Sequence, residues 1–259
     1  MLVRNIMSNY TTNMVEIFSS IQGEGKLVGL RQAFLRFYGC NLDCHYCDSR
    51  STHSVLIPEF CQTENTPGRQ DFTDIKNPVH LEYIINLLLK WVSLRPKAHH
   101  SISLTGGEPL LHTESLLEYL PELRKILPIY LETNGIYHRE LLKCIDFIDY
   151  ISMDFKLPST TKSRDYWEEH REFLKIAART DVYVKAVVSN ETSISEIRQA
   201  CEVIVSVSKN IPLILQPLTS ANVNQTISSR VLFDLQEEAS DYLSEVRVIP
   251  QTHKFMHLL

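Results

Sequence analysis

Cys40-Asn41-Leu42-Asp43-Cys44-His45-Tyr46-Cys47 places three thiols within eight residues, with three and then two residues between them and an aromatic just before the third. Thiolates at that density are ligands for an iron–sulfur cluster or for zinc. Three cysteines on a four-iron cluster leave one iron without a protein ligand, and that open iron can take a substrate or cofactor. A closed zinc site needs a fourth ligand, for which His45, Asp48 and the distant Cys61 are candidates. Unrelated thiols are the third reading. The spacing favours the open-iron cluster.

The rest of the chain sets bounds around that loop. Its 259 residues suffice for one large α/β domain or two small ones with a full core. Apolar residues make up 44%, no run approaches a membrane span, and Met1-Leu2-Val3-Arg4-Asn5 lacks the apolar stretch of a secretory signal. A net charge of −5 offers no broad basic field, which argues against tight nonspecific nucleic-acid binding. Six cysteines, three of them clustered, suit a reducing cytosol better than a disulfide scaffold. A cytoplasmic protein is expected.

Upstream of the cysteines, Val15-Glu16-Ile17-Phe18-Ser19-Ser20-Ile21 runs into Gln22-Gly23-Glu24-Gly25, where two glycines let backbone approach a ligand and Gln22 and Glu24 offer an amide and a carboxylate. Read alone, such a segment is an ordinary turn. Ala33-Phe34-Leu35-Arg36-Phe37-Tyr38 is a strand leading directly into the cysteine loop, and Arg36 interrupts its apolar run. Strand arginines commonly face solvent, whereas one at the mouth of a barrel can clamp a carboxylate bidentately. Residues 50–80 are polar and irregular, with Pro67-Gly68, and read as an insertion after the cysteine loop with a short hairpin in it; Cys61 within it reads as a bystander.

Beyond 80 the period alternates. Helices are expected at 80–94, 114–126, 138–145, 164–178, 193–208 and 227–242, and strands at 101–104, 129–131, 147–153, 182–188 and 212–216, with a last extended segment at 245–249. Such alternation gives parallel βαβ units with right-handed crossovers. No Gly-x-Gly-x-x-Gly follows the first strand, so a dinucleotide fold has no support. Six strands before the tail fit an incomplete (β/α)6 TIM-like barrel spanning 1–259 as a single domain.

A parallel barrel gathers its chemistry at the carboxyl ends of its strands. The unusual polar residues of this chain fall there: the cysteines, Thr105-Gly106-Gly107-Glu108-Pro109, Glu132-Thr133-Asn134-Gly135, Asp154-Phe155-Lys156 and Gln216-Pro217-Leu218-Thr219. Each is ordinary punctuation alone, but five on one rim are not. Gly106 and Gly107 would bring bare backbone to the charged end of a ligand, with Glu108 available to an ammonium group.

The cysteine spacing resembles that of the radical S-adenosylmethionine (SAM) enzymes, whose open iron chelates the amino and carboxylate groups of SAM. Gln22-Gly23-Glu24-Gly25, Arg36, Asp48-Ser49 after the cysteines, Thr105 to Pro109, Gln216-Pro217-Leu218 and the terminal Gln251-Thr252-His253-Lys254 together resemble the 7-carboxy-7-deazaguanine synthase family from about residue 15 onward. The resemblance implies a radical ring contraction of 6-carboxy-5,6,7,8-tetrahydropterin to 7-carboxy-7-deazaguanine with loss of ammonia, on the way to queuosine and other deazapurines. It implies that Cys40, Cys44 and Cys47 hold a 4Fe-4S cluster and that Gly107, Asp154, Phe155, Lys156, Gln216, Pro217, Leu218 and Thr219 bind SAM. On the substrate side it implies Ile21, Gln22, Gly23, Arg36, Thr105, Glu132, His253 and the terminal Leu259. It also implies a magnesium ion on Ser49, where the family form has threonine; serine keeps the oxygen donor that a hard cation requires. A turn serine capping Asp48 is the competing reading. The tail has His257 where the family often has glycine, which leaves the path of the terminal carboxylate open. A homodimer served by an electron donor such as flavodoxin is the expected assembly. A glycyl-radical activating enzyme shares the cysteine loop but does not account for residues 21–25 or 251–254. A zinc-stabilised binding module without catalysis is the other alternative.

Overall fold

The computed structural model describes residues 10–53, 56–219, 226–256 and 258. The expectation for Leu259 therefore lies outside the described residues. Ten strands form one sheet: β1 (Met14–Ile21), β2 (Arg31–Phe37), β3 (Phe60–Glu64), β4 (Phe72–Lys76), β5 (Ser101–Gly106), β6 (Ile129–Thr133), β7 (Tyr150–Phe155), β8 (Asp181–Val188), β9 (Leu213–Pro217) and β10 (Val246–Val248). Their spatial order is β10-β9-β8-β7-β6-β5-β2-β1-β3-β4. From β2 through β10 every neighbouring pair is parallel. This is the incomplete (β/α) barrel, with the short β10 as its last stave.

Six helices return the chain between parallel strands: α1 (Leu81–Leu94), α2 (Thr113–Leu123), α3 (His138–Cys144), α4 (Trp167–Ala177), α5 (Ile194–Val205) and α6 (Ser229–Ser240). Each presents an apolar stripe to the sheet; in α1 it is Leu81, Ile84, Leu87, Leu88 and Trp91, the spacing of one helix face. Two of the six starts are set by side chains: the hydroxyls of Ser193 and Ser228 accept from the backbone N–H of Glu196 and Val231.

Strand periodicity divides the residues between two faces. Toward the helices point Ala33, Leu35 and Phe37 of β2, Ile102 and Leu104 of β5, Ile129 and Leu131 of β6, and Ile151, Met153 and Phe155 of β7, followed by Val182, Val184, Ala186 and Val188 of β8, all buried in one cluster. The alternate residues form the barrel interior. Low in it, Tyr130, Tyr183 and Ile214 make a separate buried cluster, the two phenols hydrogen-bonded at 2.6 Å. Above them, toward the carboxyl ends, the interior turns polar: Arg36, Thr105, Glu132, Asp154, Lys185 and Gln216 all line one cavity.

The 50–80 stretch is more regular than its composition suggests. Strands β3 and β4 form an antiparallel hairpin, and β3 also runs parallel to β1, which in turn pairs antiparallel with β2. The barrel sheet is thereby extended beyond its first stave. Cys61 sits fully buried in β3, hydrogen-bonded within the hairpin to Thr63.

Candidate active site

The cysteine loop leaves β2 and is pinned from four sides. Gly39 N–H donates to Thr52 O at 2.8 Å, Glu108 N–H to Gly39 O at 2.8 Å, His45 N–H to Thr161 O at 3.3 Å, and the Asn134 amide to Asn41 Oδ1 at 2.8 Å. A glycine is obligatory where the Thr105–Pro109 loop crosses this one, since a Cβ on Gly107 would stand 1.8 Å from the Gly39 carbonyl oxygen. Cys40, Cys44 and Cys47 line one cavity of about 460 Å³, a size suited to small ligands.

Burial pushes all three thiols up, Cys40 to about 11, with the nearby Lys156 ammonium acting in the opposite sense. Among the described residues the three sulfurs do not gather within 4.8 Å of one another, the spread one ion would need. A single zinc, with bonds of about 2.3 Å to each sulfur, requires a tighter group. Thiolates on separate irons of a cluster do not. Cys61, buried in the hairpin, is unavailable as a fourth ligand.

Two lysines organise the opposite wall. Lys156 donates to Asp154 at 2.9 Å and to the Tyr46 hydroxyl at 3.2 Å, and Lys185 pairs with Glu24 and lies 3.5 Å from Asp154. Burial alone would lower both lysines, but the carboxylates outweigh it and hold the ammonium groups well above their ordinary value. Burial would likewise raise Asp154 and Glu24, and the lysines more than reverse it, keeping both carboxylates below their usual range. Asp154 Oδ1 and Gln216 Oε1 are buried and have no hydrogen-bond partner among the described residues. Two orphan acceptors on the cavity wall suit a ligand rich in donors, such as an ammonium group and ribose hydroxyls.

The remaining wall is an amide and carboxylate network. Gln22 Nε2 donates to Glu132 at 2.7 Å and to Gln32 at 2.9 Å, while Thr105 Oγ1 donates to the other Glu132 oxygen at 2.9 Å. Burial, reinforced by the charge of Glu24, raises the Glu132 carboxyl. Arg36 lies beside it, in an ion pair with Glu16 at 3.1 Å that lacks hydrogen-bond alignment, and donates to Ser49 Oγ at 3.3 Å. Its guanidinium covers the ring of Phe18, which stacks on Phe34 at 5.0 Å. The C-terminal turn closes this side: Thr252 N–H donates to Gly23 O at 2.8 Å, and a Cβ on Gly23 would meet His253 at 2.4 Å. Gln251 bridges Glu24 and Asp48 at 2.7 and 2.9 Å. One ligand atom each of Glu24, Asp48 and His253 falls within 4.8 Å of the others, a spacing that can hold a cation.

Ile21, Gln22, Gly23, Arg36, the three cysteines, Ser49, Thr105, Gly107, Glu132, Asp154, Lys156, Gln216 to Thr219 and His253 all meet in this cavity. Phe155 does not. It lies inside β7 rather than after it, so strand alternation sends its ring to the helix side, stacked on His170 at 4.5 Å. Glu108 is also turned away. Fully buried, it accepts from Leu110 N–H, Asn134 N–H and Thr133 Oγ1, locking two rim loops together instead of facing an ammonium group. The sequence reading passed over Lys185. Its signal was a lone charge in Val182-Tyr183-Val184-Lys185-Ala186-Val187-Val188, the same signal that marked Arg36.

Residues 35–203 match the model of the radical SAM superfamily. The chain is 49% identical over 250 residues to the 7-carboxy-7-deazaguanine synthase of Geobacter sulfurreducens, covering 96% of this chain and 99% of that protein. It is 33% identical to the 7-carboxy-7-deazaguanine synthase of Methanocaldococcus jannaschii, covering 94% of this chain and 99% of that one. Among solved structures, QueE from Escherichia coli shares the fold, with a TM-score of 0.55, 19% identity and 94% of each chain covered.

Proposed function

The chain belongs to the radical SAM superfamily and, within it, to the 7-carboxy-7-deazaguanine synthases, and from that premise we propose how its own residues serve the ring contraction of 6-carboxy-5,6,7,8-tetrahydropterin. The conversion loses one ammonia and is otherwise an isomerisation, so no external oxidant or reductant is consumed overall. Cys40, Cys44 and Cys47 would hold the 4Fe-4S cluster. Gly107, Asp154, Lys156 and Gln216 to Thr219 would hold SAM, whose reductive cleavage supplies a carbon radical able to remove one substrate hydrogen.

The protein's share is to bind, orient and exclude other hydrogen donors. The observation that carries the substrate reading is the Gln22–Glu132–Thr105 network beside Arg36 in the cavity of the cysteines. A pterin presents an amino group and a ring N–H along one edge, which the Glu132 carboxylate can accept, while Gln22 can exchange an amide hydrogen bond with the same edge. The substrate carboxylate needs a cation, and Arg36 offers a planar fork. Phe18, itself stacked on Phe34, backs that guanidinium. His253, packed on Gly23, closes the substrate side.

A magnesium ion on Ser49 would neutralise the same carboxylate and steer the rearrangement; Ser49 contacts Asp48 at 3.2 Å, and Asp48 groups with Glu24 and His253 within 4.8 Å. Cys40 and Cys47 are only partly covered and sit on a loop at the barrel mouth, which suits delivery of an electron by a small carrier such as flavodoxin. All six cysteines are free thiols, in keeping with a reducing cytoplasm. A homodimer completes the reading.

Anaerobic turnover with SAM, a reductant and the carboxylated tetrahydropterin tests it. The expected products are 7-carboxy-7-deazaguanine and ammonia in equal amounts. Cleavage of SAM with the pterin left unconsumed would overturn the substrate assignment while leaving superfamily membership intact.

A further inference from the structure

A second cavity of about 400 Å³ lies between the end of β1, the start of β2, the turn of the β3–β4 hairpin and the C-terminal end of α1. Three arginines from three separate elements converge on it: Arg31, Arg69 and Arg95. Among the described residues none of the three has a carboxylate within ion-pair distance, in a chain whose net charge is −5.

Arg31 is built into the wall. Its Nε donates to Ser19 Oγ at 2.8 Å, and its guanidinium occupies the space above Gly68, where a Cβ would come within 2.6 Å of Nη2. Gly68 has φ +75°, so the hairpin turn both needs and uses a glycine here. The nearby carboxylate, Glu64, is committed elsewhere: it accepts from the backbone N–H groups of Ser19, Arg69 and Gln70 at 2.7–2.8 Å. His99, hydrogen-bonded to the same Ser19 hydroxyl, contributes no negative charge.

We propose that this cavity is a binding site for a phosphate oxyanion, held by the guanidinium groups of Arg31, Arg69 and Arg95. Three guanidinium groups with no carboxylate partner among the described residues exceed what one carboxylate neutralises and match a multivalent oxyanion, which accepts several forked hydrogen bonds at once. Arg95 Nη1 also donates to the Leu94 carbonyl at 3.2 Å, which leaves the rest of its fork to the anion. The oxyanion is either free polyphosphate or the phosphate tail of a nucleotide, whose base would lie on the apolar wall of Pro67, Leu94 and Leu258. Ile21 and Leu258 line this cavity and the active cavity alike, so the two are neighbours with a shared wall.

The test is calorimetric titration of the reconstituted holoenzyme, saturated with SAM and 7-carboxy-7-deazaguanine so that both halves of the active cavity are filled, with sodium pyrophosphate and separately with ATP. Wild type is expected to bind one pyrophosphate per chain. The exposed pair Arg69→Ala/Arg95→Ala is expected to bind it about tenfold or more weakly, with thermal midpoint and SAM affinity unchanged. ATP binding more tightly than pyrophosphate supports a nucleotide as occupant. ATP binding no more tightly supports the free oxyanion. No heat with either probe, or equal affinity in wild type and variant, overturns the site.

Discussion

Lys185 of β8 and Glu24 of the loop before β2 form an ion pair across the barrel mouth, and Asp154 of β7 lies 3.5 Å from the same ammonium group. The side chains are only 12–18% exposed, so removing the cation strands Glu24 in a poorly solvated wall and leaves Asp154 to Lys156 alone. Lys185→Met should therefore lower stability by about 3 kcal/mol. Adding Glu24→Gln should recover part of that loss, because the second change removes the stranded charge. Denaturant unfolding of wild type, both single variants and the double variant gives the coupling directly. Additive losses would show that the pair is not coupled.

That pair also marks the limit of what residue order conveys. The barrel was legible because its helices and strands alternate with clean periods, and the rim was legible because glycines, prolines and charges recur at strand ends. Strand parity was the missing ingredient. Asp154-Phe155-Lys156 reads as one motif, yet β7 continues through Phe155, and alternation sends that ring away from the residues on either side of it. The same alternation places Lys185 inside the barrel, where its run of valines looks like plain core. The β3–β4 hairpin was legible only as a short hairpin somewhere in 50–80, and its bounds and its place in the barrel sheet were hidden for a different reason. Phe60-Cys61-Gln62-Thr63-Glu64 and Phe72-Thr73-Asp74-Ile75-Lys76 carry few apolar residues, and their order comes from pairing with β1. Glu108 illustrates a third case, since a carboxylate that accepts backbone N–H groups is indistinguishable in sequence from one that faces a ligand.

Gly107 is held against Gly39 backbone to backbone, so no side chain can move aside to admit a methyl group. Gly107→Ala must displace the segment Gly39–Cys40, where the first cluster ligand sits, since its Cβ would also come within 3.1 Å of Cys40 N. Most of the iron should be lost after anaerobic reconstitution, and SAM affinity should fall about a hundredfold in the fraction that retains it. Iron and sulfide analysis beside SAM titration checks both. A fully loaded variant with wild-type SAM affinity would show that the loops separate freely.

His170 packs behind the active wall, fully buried between Phe155 and Asn134, and donates from Nε2 to the Asn134 carbonyl at 3.2 Å. Burial lowers its pKa to about 4, and His99 is depressed to about 4 by burial and by the Arg31 charge. On acidification the unfolded chain binds protons at these imidazoles near pH 6.5 while the folded chain does not, so stability is lost as pH falls from about 6.5 toward 4. His170→Gln keeps a donor for the Asn134 carbonyl and removes one titrating group. Between pH 7 and pH 5 the variant should lose about 2 kcal/mol less stability than wild type. Urea unfolding at the two pH values decides it, and equal losses would mean that His170 is not held neutral.

Ser49 offers the sharpest test of the metal reading. Its hydroxyl lines the active cavity, accepts from Arg36 at 3.3 Å and donates to Asp48 at 3.2 Å. Two roles fit those contacts. As a turn residue it caps Asp48, and alanine would cost about 1 kcal/mol of stability with no effect on a metal response. As a magnesium ligand it turns a lone pair to the ion, with Glu24, Asp48 and His253 nearby and Arg36 left to the substrate carboxylate. In that case magnesium stimulates wild-type turnover, and Ser49→Ala loses the stimulation while keeping its cluster and its SAM affinity. Ser49→Thr should keep the stimulation, because the added methyl restricts the rotamer without changing the donor atom. Rates for the three proteins against magnesium concentration, with iron content measured on each, separate the roles. A Ser49→Ala enzyme with the wild-type magnesium dependence would remove Ser49 from the metal site and leave it as the cap of Asp48.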